Sequence, residues 1–162
     1  MTRSRLKKQF FLTLAAGAIC AAGQAQWTGP VSDIPAFHTA PPPAHQVQSQ
    51  ILHGSQLTGP NFTQPWQRQV YKDAAKVPNV LYQLPCYCRC DLALGHTSLR
   101  SCFTGLHGAE CDVCAKEGEY AYRMTRKGWT PQQIRAGIER GEWKKIDLAA
   151  LGSTPAHRTR RS

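Results

Sequence analysis

The sequence predicts a small all-α domain with a Cys-rich loop, preceded by a signal peptide and a Pro-rich linker. Three observations carry this reading. Helix caps and proline starts recur between Thr63 and Gly141. Apolar residues repeat at helical spacing, and alternating apolar runs are scarce. Six of the seven cysteines crowd between Cys86 and Cys114.

Residues 1–25 read as a secretory signal peptide. Arg3, Arg5, Lys7 and Lys8 form a basic n-region, and Phe10 to Ala22 form an apolar h-region. Gly23-Gln24-Ala25 then puts small residues at −3 and −1 before a cut ahead of Gln26. The apolar run falls short of the ~20 residues that span a bilayer, so an uncleaved membrane anchor is the alternative. Cys20 follows Ile19, where a lipid-modified cysteine wants a small residue. The expected location is periplasmic or extracellular.

Without the leader the formal net charge falls from +10 to +6, because four basic residues leave and no acidic one does. Arg158, Arg160 and Arg161 supply three of those six. The remaining domain is only mildly basic and shows no basic face with interleaved aromatics, so nucleic acid is not expected. The expected partner is a metal ion, or a protein exchanging metal or electrons.

Residues 26–62 read as a disordered Pro/Gln-rich linker. Pro41-Pro42-Pro43 favours extended chain, and no apolar period is sustained. His38, His45 and His53 read as polar linker residues rather than metal collectors.

Order is expected over residues 63–150. Thr63 is a candidate N-cap with Pro65 in the first turn. Trp66, Val70, Ala74 and Val77 recur on one helical face. Pro78 should end that helix, and Asn79 should cap a short turn through Leu84. Asp91 to Gly108 reads as loop. A helix is then expected from Ala109 to Lys127, with Gly128 at C′. Thr130-Pro131-Gln132-Gln133 is a helix start with a capping box. Ile134 and Ile138 face inward from it, and Gly141 closes it. Trp143, Ile146 and Leu148 can fold back over the core, and residues 151–162 read as a basic tail. An ordered part of about 85 residues has a thin core and gains much from cross-links or a metal.

The cysteines are spaced Cys86-x-Cys88-x-Cys90, then Cys102, then Cys111-x-x-Cys114. An even count in an oxidising compartment makes three disulfides one open reading. Against it, the cysteines crowd together instead of stapling distant segments. Cys-x-Cys is poor geometry for a bridge within the triplet but suits thiolates converging on one ion. Cys-x-x-Cys at a helix start lowers thiol pKa through the dipole and free amides. The candidate ligands are Cys86, Cys88, Cys111, Cys114 and His107. Cys90 and Cys102 are left as further ligands or as one disulfide, and His96 as a further ligand. Thiolates with imidazole suit Zn²⁺, and soft thiolates also select Cu(I). Residue 115 is Ala, so the Cys-x-x-Cys-His haem motif is absent. Thiol redox work at Cys111-x-x-Cys114 is the alternative from another class. No Ser/His/Asp set, phosphate loop or usable carboxylate pair appears, and an enzyme is not the favoured reading. Tyr87 and Phe103 are expected to pack against the cluster's wall.

Pro85-Cys86-Tyr87-Cys88-x-Cys90, Gly95-His96-x-Ser98-Leu99-x-x-Cys102-Phe103, His107, Cys111-x-x-Cys114 and Thr130-x-x-x-Ile134-Arg135 together resemble the bacterial PCYCGC-motif proteins, also called the CYCXC family of (seleno)proteins. The resemblance covers about residues 70–148. It implies an exported or lipid-anchored protein of unassigned function. Some members carry selenocysteine at a cysteine position, which implies redox or soft-metal chemistry over mere stapling. This chain departs by lacking a lipobox and by placing Arg89 where Gly is usual.

Overall fold

A computed structural model of the chain describes residues 33–152. All of them belong to the second of two units, Ser32–Ser162, into which the chain divides. The expected signal peptide, residues 26–32 of the linker and the tail from residue 153 lie outside the described residues. Among the described residues there are six α-helices, three 3-10 turns and no strand. The helical class is as expected.

Helix α1 spans Pro65–Ala74. Pro65 fits the first turn because its missing N–H would have been unpaired there. The cap falls on Gln64, one residue later than expected, and the Gln64 N–H donates to Gln67 Oε1 (2.7 Å). Helix α2, Pro78–Leu81, likewise starts on its proline, with Val77 rather than Asn79 at the N-cap. Helix α3, Cys90–Leu94, lies where a loop was expected. The 3-10 turn Leu99–Phe103 follows it.

The helix expected from Ala109 to Lys127 is two helices. Helix α4 is His107–Glu110 and helix α5 is Asp112–Arg126. Cys111 separates them with extended backbone (φ −130°, ψ 110°) and becomes the N-cap of α5. Gly128 (φ 83°) follows the end of α5 as expected. Helix α6, Pro131–Glu139, carries the expected capping box: Gln133 N–H donates to Thr130 Oγ1 (3.3 Å), and Thr130 N–H to Gln133 Oε1 (2.8 Å). Gly141 (φ 73°) turns the chain, and Ile146 and Leu148 return into the core.

Helix α5 is the hub, packed against α1, α2, α4 and α6. Val70, Ala74, Leu81, Leu84, Leu99, Phe103, Ala115, Ala121 and Ile134 are fully buried around it. No helix among the described residues is long and apolar enough to cross a membrane.

The described part of the expected linker differs from a disordered segment, because it packs on this core. Ile51, Leu57 and Phe62 are buried, with the Phe62 ring edge-on to Tyr71 at 5.3 Å. Leu52 N–H donates to Phe103 O (3.0 Å). These apolar residues fill separate places on an existing core, so they need no period of their own. Upstream, residues 33–38 form a strap. Pro35 is fully buried, Ala36 N–H donates to Asp91 (3.2 Å), and His38 stacks on Tyr82 with ring centroids 3.8 Å apart.

Candidate metal centre

Four segments deliver the donors. The first is the turn Cys86–Cys90, in which Arg89 N–H donates to Cys86 O (3.2 Å). Arg89 takes the left-handed conformation (φ 62°), the one non-glycine among the described residues to do so. That reversal folds the Cys-x-Cys-x-Cys run onto itself instead of leaving it extended. The Arg89 side chain reaches Asp33 O (3.2 Å) and pairs with Asp91 (3.3 Å), which ties the strap to the turn. The second segment is the 3-10 turn carrying Cys102, held by Leu99 N–H donating to Leu84 O (2.8 Å). The third is α4, which begins on His107 and is fixed by Gln67 Nε2 donating to Ala109 O (2.9 Å). The fourth is the start of α5, with Cys111 at the N-cap and Cys114 in the first turn.

The sulfurs meet. Cys86 Sγ lies 3.3 Å from Cys114 Sγ and 3.4 Å from Cys88 Sγ, and Cys88 lies 3.4 Å from Cys114. Cys90 and Cys102 are 3.4 Å apart. His107 Nε2 sits 3.5 Å from Cys88 Sγ, and His96 Nδ1 3.4 Å from Cys102 Sγ. The two imidazoles meet edge-on at 5.4 Å. All six thiols are unpaired. A disulfide would bring two sulfurs to about 2.05 Å. A tetrahedral ion with Zn–S of about 2.3 Å holds them about 3.8 Å apart. The observed gaps are much nearer the second.

Three groups of four donors have ligand atoms within 4.8 Å of one another: Cys86, Cys88, Cys90 and Cys114; Cys88, His107, Cys111 and Cys114; and Cys90, Cys102, His107 and Cys114. All the expected ligands therefore belong to the assembly, but Cys86 and Cys111 fall in different groups. Cys90 and Cys102, expected as further ligands or a disulfide, belong fully to it as thiols. His96 touches Cys102 without joining a group.

Crowding controls ionisation. Cys88 and Cys102 are held well below the ordinary thiol range, chiefly by S–H donation from Cys111 to the first and Cys114 to the second. Cys86 and Cys114 are pushed up, both chiefly by hydrogen bonding to Cys102, which keeps the proton on the donating thiol. Burial lowers the His107 pKa, but the sulfurs of Cys88, Cys102 and Cys111 outweigh it and the net shift is upward. A cation held by these sulfurs would replace their protons and favour the thiolate form.

Glu117 was not among the expected residues. It is fully buried, and Tyr87 N–H donates to both of its carboxylate oxygens (3.1 and 3.2 Å). Burial pushes its pKa up to about 8, against the lowering effect of Cys86 and the Tyr87 amide. The sequence held one signal for it: Glu117 lies three residues after Cys114, on the same side of α5.

The donors differ in exposure. Cys88, Cys111 and His107 are half-buried, whereas Cys86, Cys90, Cys102 and Cys114 are buried. Pro35 and Ala36 lie over Cys86, Cys90 and His96, leaving no room for a water molecule. Phe103 is fully buried and edge-on to Tyr71 at 5.2 Å.

Residues 45–146 match the family described as proteins of unknown function with a PCYCGC motif. The chain belongs to this family. The PCYCGC motif falls on Pro85–Cys90, the turn that supplies three sulfurs, and its Gly position is the left-handed Arg89. The match to the PCYCGC family also begins upstream of Ile51, in accord with the packing of residues 51–62 on the core. No curated protein and no solved structure matches the chain.

Proposed function

We propose that this PCYCGC-family chain is an exported metal-binding module that holds a soft or borderline d10 ion, Zn²⁺ or Cu(I), through cysteine thiolates. The observation that carries the reading is the convergence of six unbonded thiols and His107 into four-donor groups within 4.8 Å. Thiolate with imidazole is the donor set those ions prefer. Export is supported by the basic and apolar N-terminal pattern and its small-residue cut ahead of Gln26. The partner is then the ion itself, or a protein that hands it over at the half-buried Cys88–His107–Cys111 side.

Melting curves with chelator and with reductant test this. A thiolate–metal site links binding to folding, so a chelator should lower the melting temperature sharply and a reductant alone should not. If reductant unfolds the protein and chelator does nothing, the cysteines are disulfides and the reading fails.

A thiol redox role is the second reading, supported by Cys111 at the N-cap of a fifteen-residue helix and half-open to solvent. It needs a thiol that alkylates well below the ordinary range of about 8.5 in the metal-free protein. Alkylation only above that range would remove its basis.

A further inference from the structure

The donors outnumber what one ion can use. A tetrahedral ion takes four ligands, yet seven residues share the three overlapping groups. Placing one ion in any group leaves three of the seven idle. With the ion among Cys88, His107, Cys111 and Cys114, the idle three are Cys86, Cys90 and Cys102, all buried. Thiols left this close in a dry interior must keep their protons or face one another as unscreened charges. The overlap itself has a pattern. Cys114 belongs to all three groups and no other residue does, while Cys88, Cys90 and His107 each belong to two. A thiolate sulfur has lone pairs to bond two soft ions at once, which a neutral imidazole nitrogen cannot do.

We propose that the centre is a thiolate-bridged cluster of at least two d10 ions, Cu(I) or Zn²⁺, with Cys114 as the sulfur common to them. This rests on the thiolate–metal reading above and adds its nuclearity. Each thiol gives up its proton as it binds, and no electron moves. Two ions in the groups built on Cys86 and on Cys111 share Cys88 and Cys114. Two in the groups built on Cys86 and on Cys102 share Cys90 and Cys114. Cys114 is suited to the shared place because it is fully buried and sits in the first turn of α5, backed by the helix.

The test is native mass spectrometry of the full-length chain, reduced and metal-free, titrated under argon with Cu(I) and separately with Zn²⁺. Saturation at two or more ions of either metal is expected, with the intermediate one-ion species weakly populated. Metal–metal scattering in the X-ray absorption spectrum of the loaded wild-type chain is expected beside it, and that measurement needs no variant. Cys114→Ser should fall to one ion or none, whereas Cys102→Ser, whose sulfur belongs to one group only, should keep at least two. Saturation at one ion, or a loaded chain without metal–metal scattering, overturns the cluster and leaves the single-ion reading standing. Two or more ions retained by Cys114→Ser overturns the bridging assignment. No uptake of either metal overturns the metal reading itself.

Discussion

Replacing Gly118 by alanine should destabilise the domain, against the ordinary preference of a helix interior. Gly118 lies mid-way along α5, where alanine normally gains about 1 kcal/mol over glycine. Here a Cβ would land 2.5 Å from Cζ and 2.9 Å from Cε2 of Phe103. The ring cannot retreat easily. A Cβ at Gly108, on α4, would likewise meet it at 2.8 Å, so the ring is held close to two backbones. It also packs edge-on against Tyr71, whose hydroxyl donates to Gly105 O (2.6 Å). Overpacking of this kind costs about 1–3 kcal/mol, and a ring confined from several directions belongs at the upper end. Subtracting the propensity gain leaves a net loss of about 2 kcal/mol, or a fall in melting temperature of roughly 10 °C for a domain of this size. The assay is thermal unfolding of the reduced protein at fixed metal content, completed as a cycle with Phe103→Leu. The double variant should recover most of the loss, because the smaller side chain frees the space. A Gly118→Ala protein that melts at or above the wild type would refute the argument. Equal losses with and without Phe103 would do the same.

Two further outcomes are expected. At position 89 glycine should be more stable than alanine by about 1 kcal/mol, since both lose the arginine's contacts and only alanine keeps the left-handed strain; chemical denaturation of Arg89→Gly and Arg89→Ala checks this, and an advantage for alanine removes the strain from the account. In the metal-free protein Glu117 has a folded pKa of about 8, above its ordinary 4.5. The folded state therefore holds the proton more tightly, and the contribution is favourable at low pH and declines as pH rises from about 4.5 to 8. Glu117→Gln keeps an acceptor for the Tyr87 amide and cannot ionise, so its stability should lack that decline, which approaches 1.4 kcal/mol per pH unit inside the window; parallel slopes for the two proteins would show that Glu117 is not the titrating group.

The parts of the fold that rest on local chemistry were legible in the sequence. The Thr130–Gln133 box and the stop at Gly128 depend on side chains and φ preferences within one turn, and they stand where expected. The cap of α1 lies one residue later and that of α2 two residues earlier than expected, because proline at N1 fixes the cap on the residue before it. Helix α3 was illegible because it follows a left-handed arginine, which local preference disfavours. The break at Cys111 was illegible because no proline or glycine marks it. The site's residue types were plain from the cysteine spacing. Which sulfurs meet was not, since the folding back of Cys86–Cys90 depends on the backbone at Arg89. Glu117 was passed over because a glutamate on a helix is ordinarily solvated.

The candidate metal centre is drawn from one short stretch of chain. Its farthest linked sulfurs, Cys86 and Cys114, are 28 residues apart in sequence, whereas the strap's bonds to Arg89 and Asp91 span 56 and 55. Closing a loop costs entropy that grows only slowly with its length, and closing short loops is fast. A chain crossing a membrane from its N-terminus would therefore present all its donors before α6 has emerged, and an ion could nucleate the core from the inside. The strap, with nothing to dock on until Arg89 and Asp91 are in place, would then lie down over Cys86, Cys90 and His96. Once down, it would cover Cys86, Cys90 and His96, and an ion reaching the folded protein would meet the half-buried donors Cys88, His107 and Cys111.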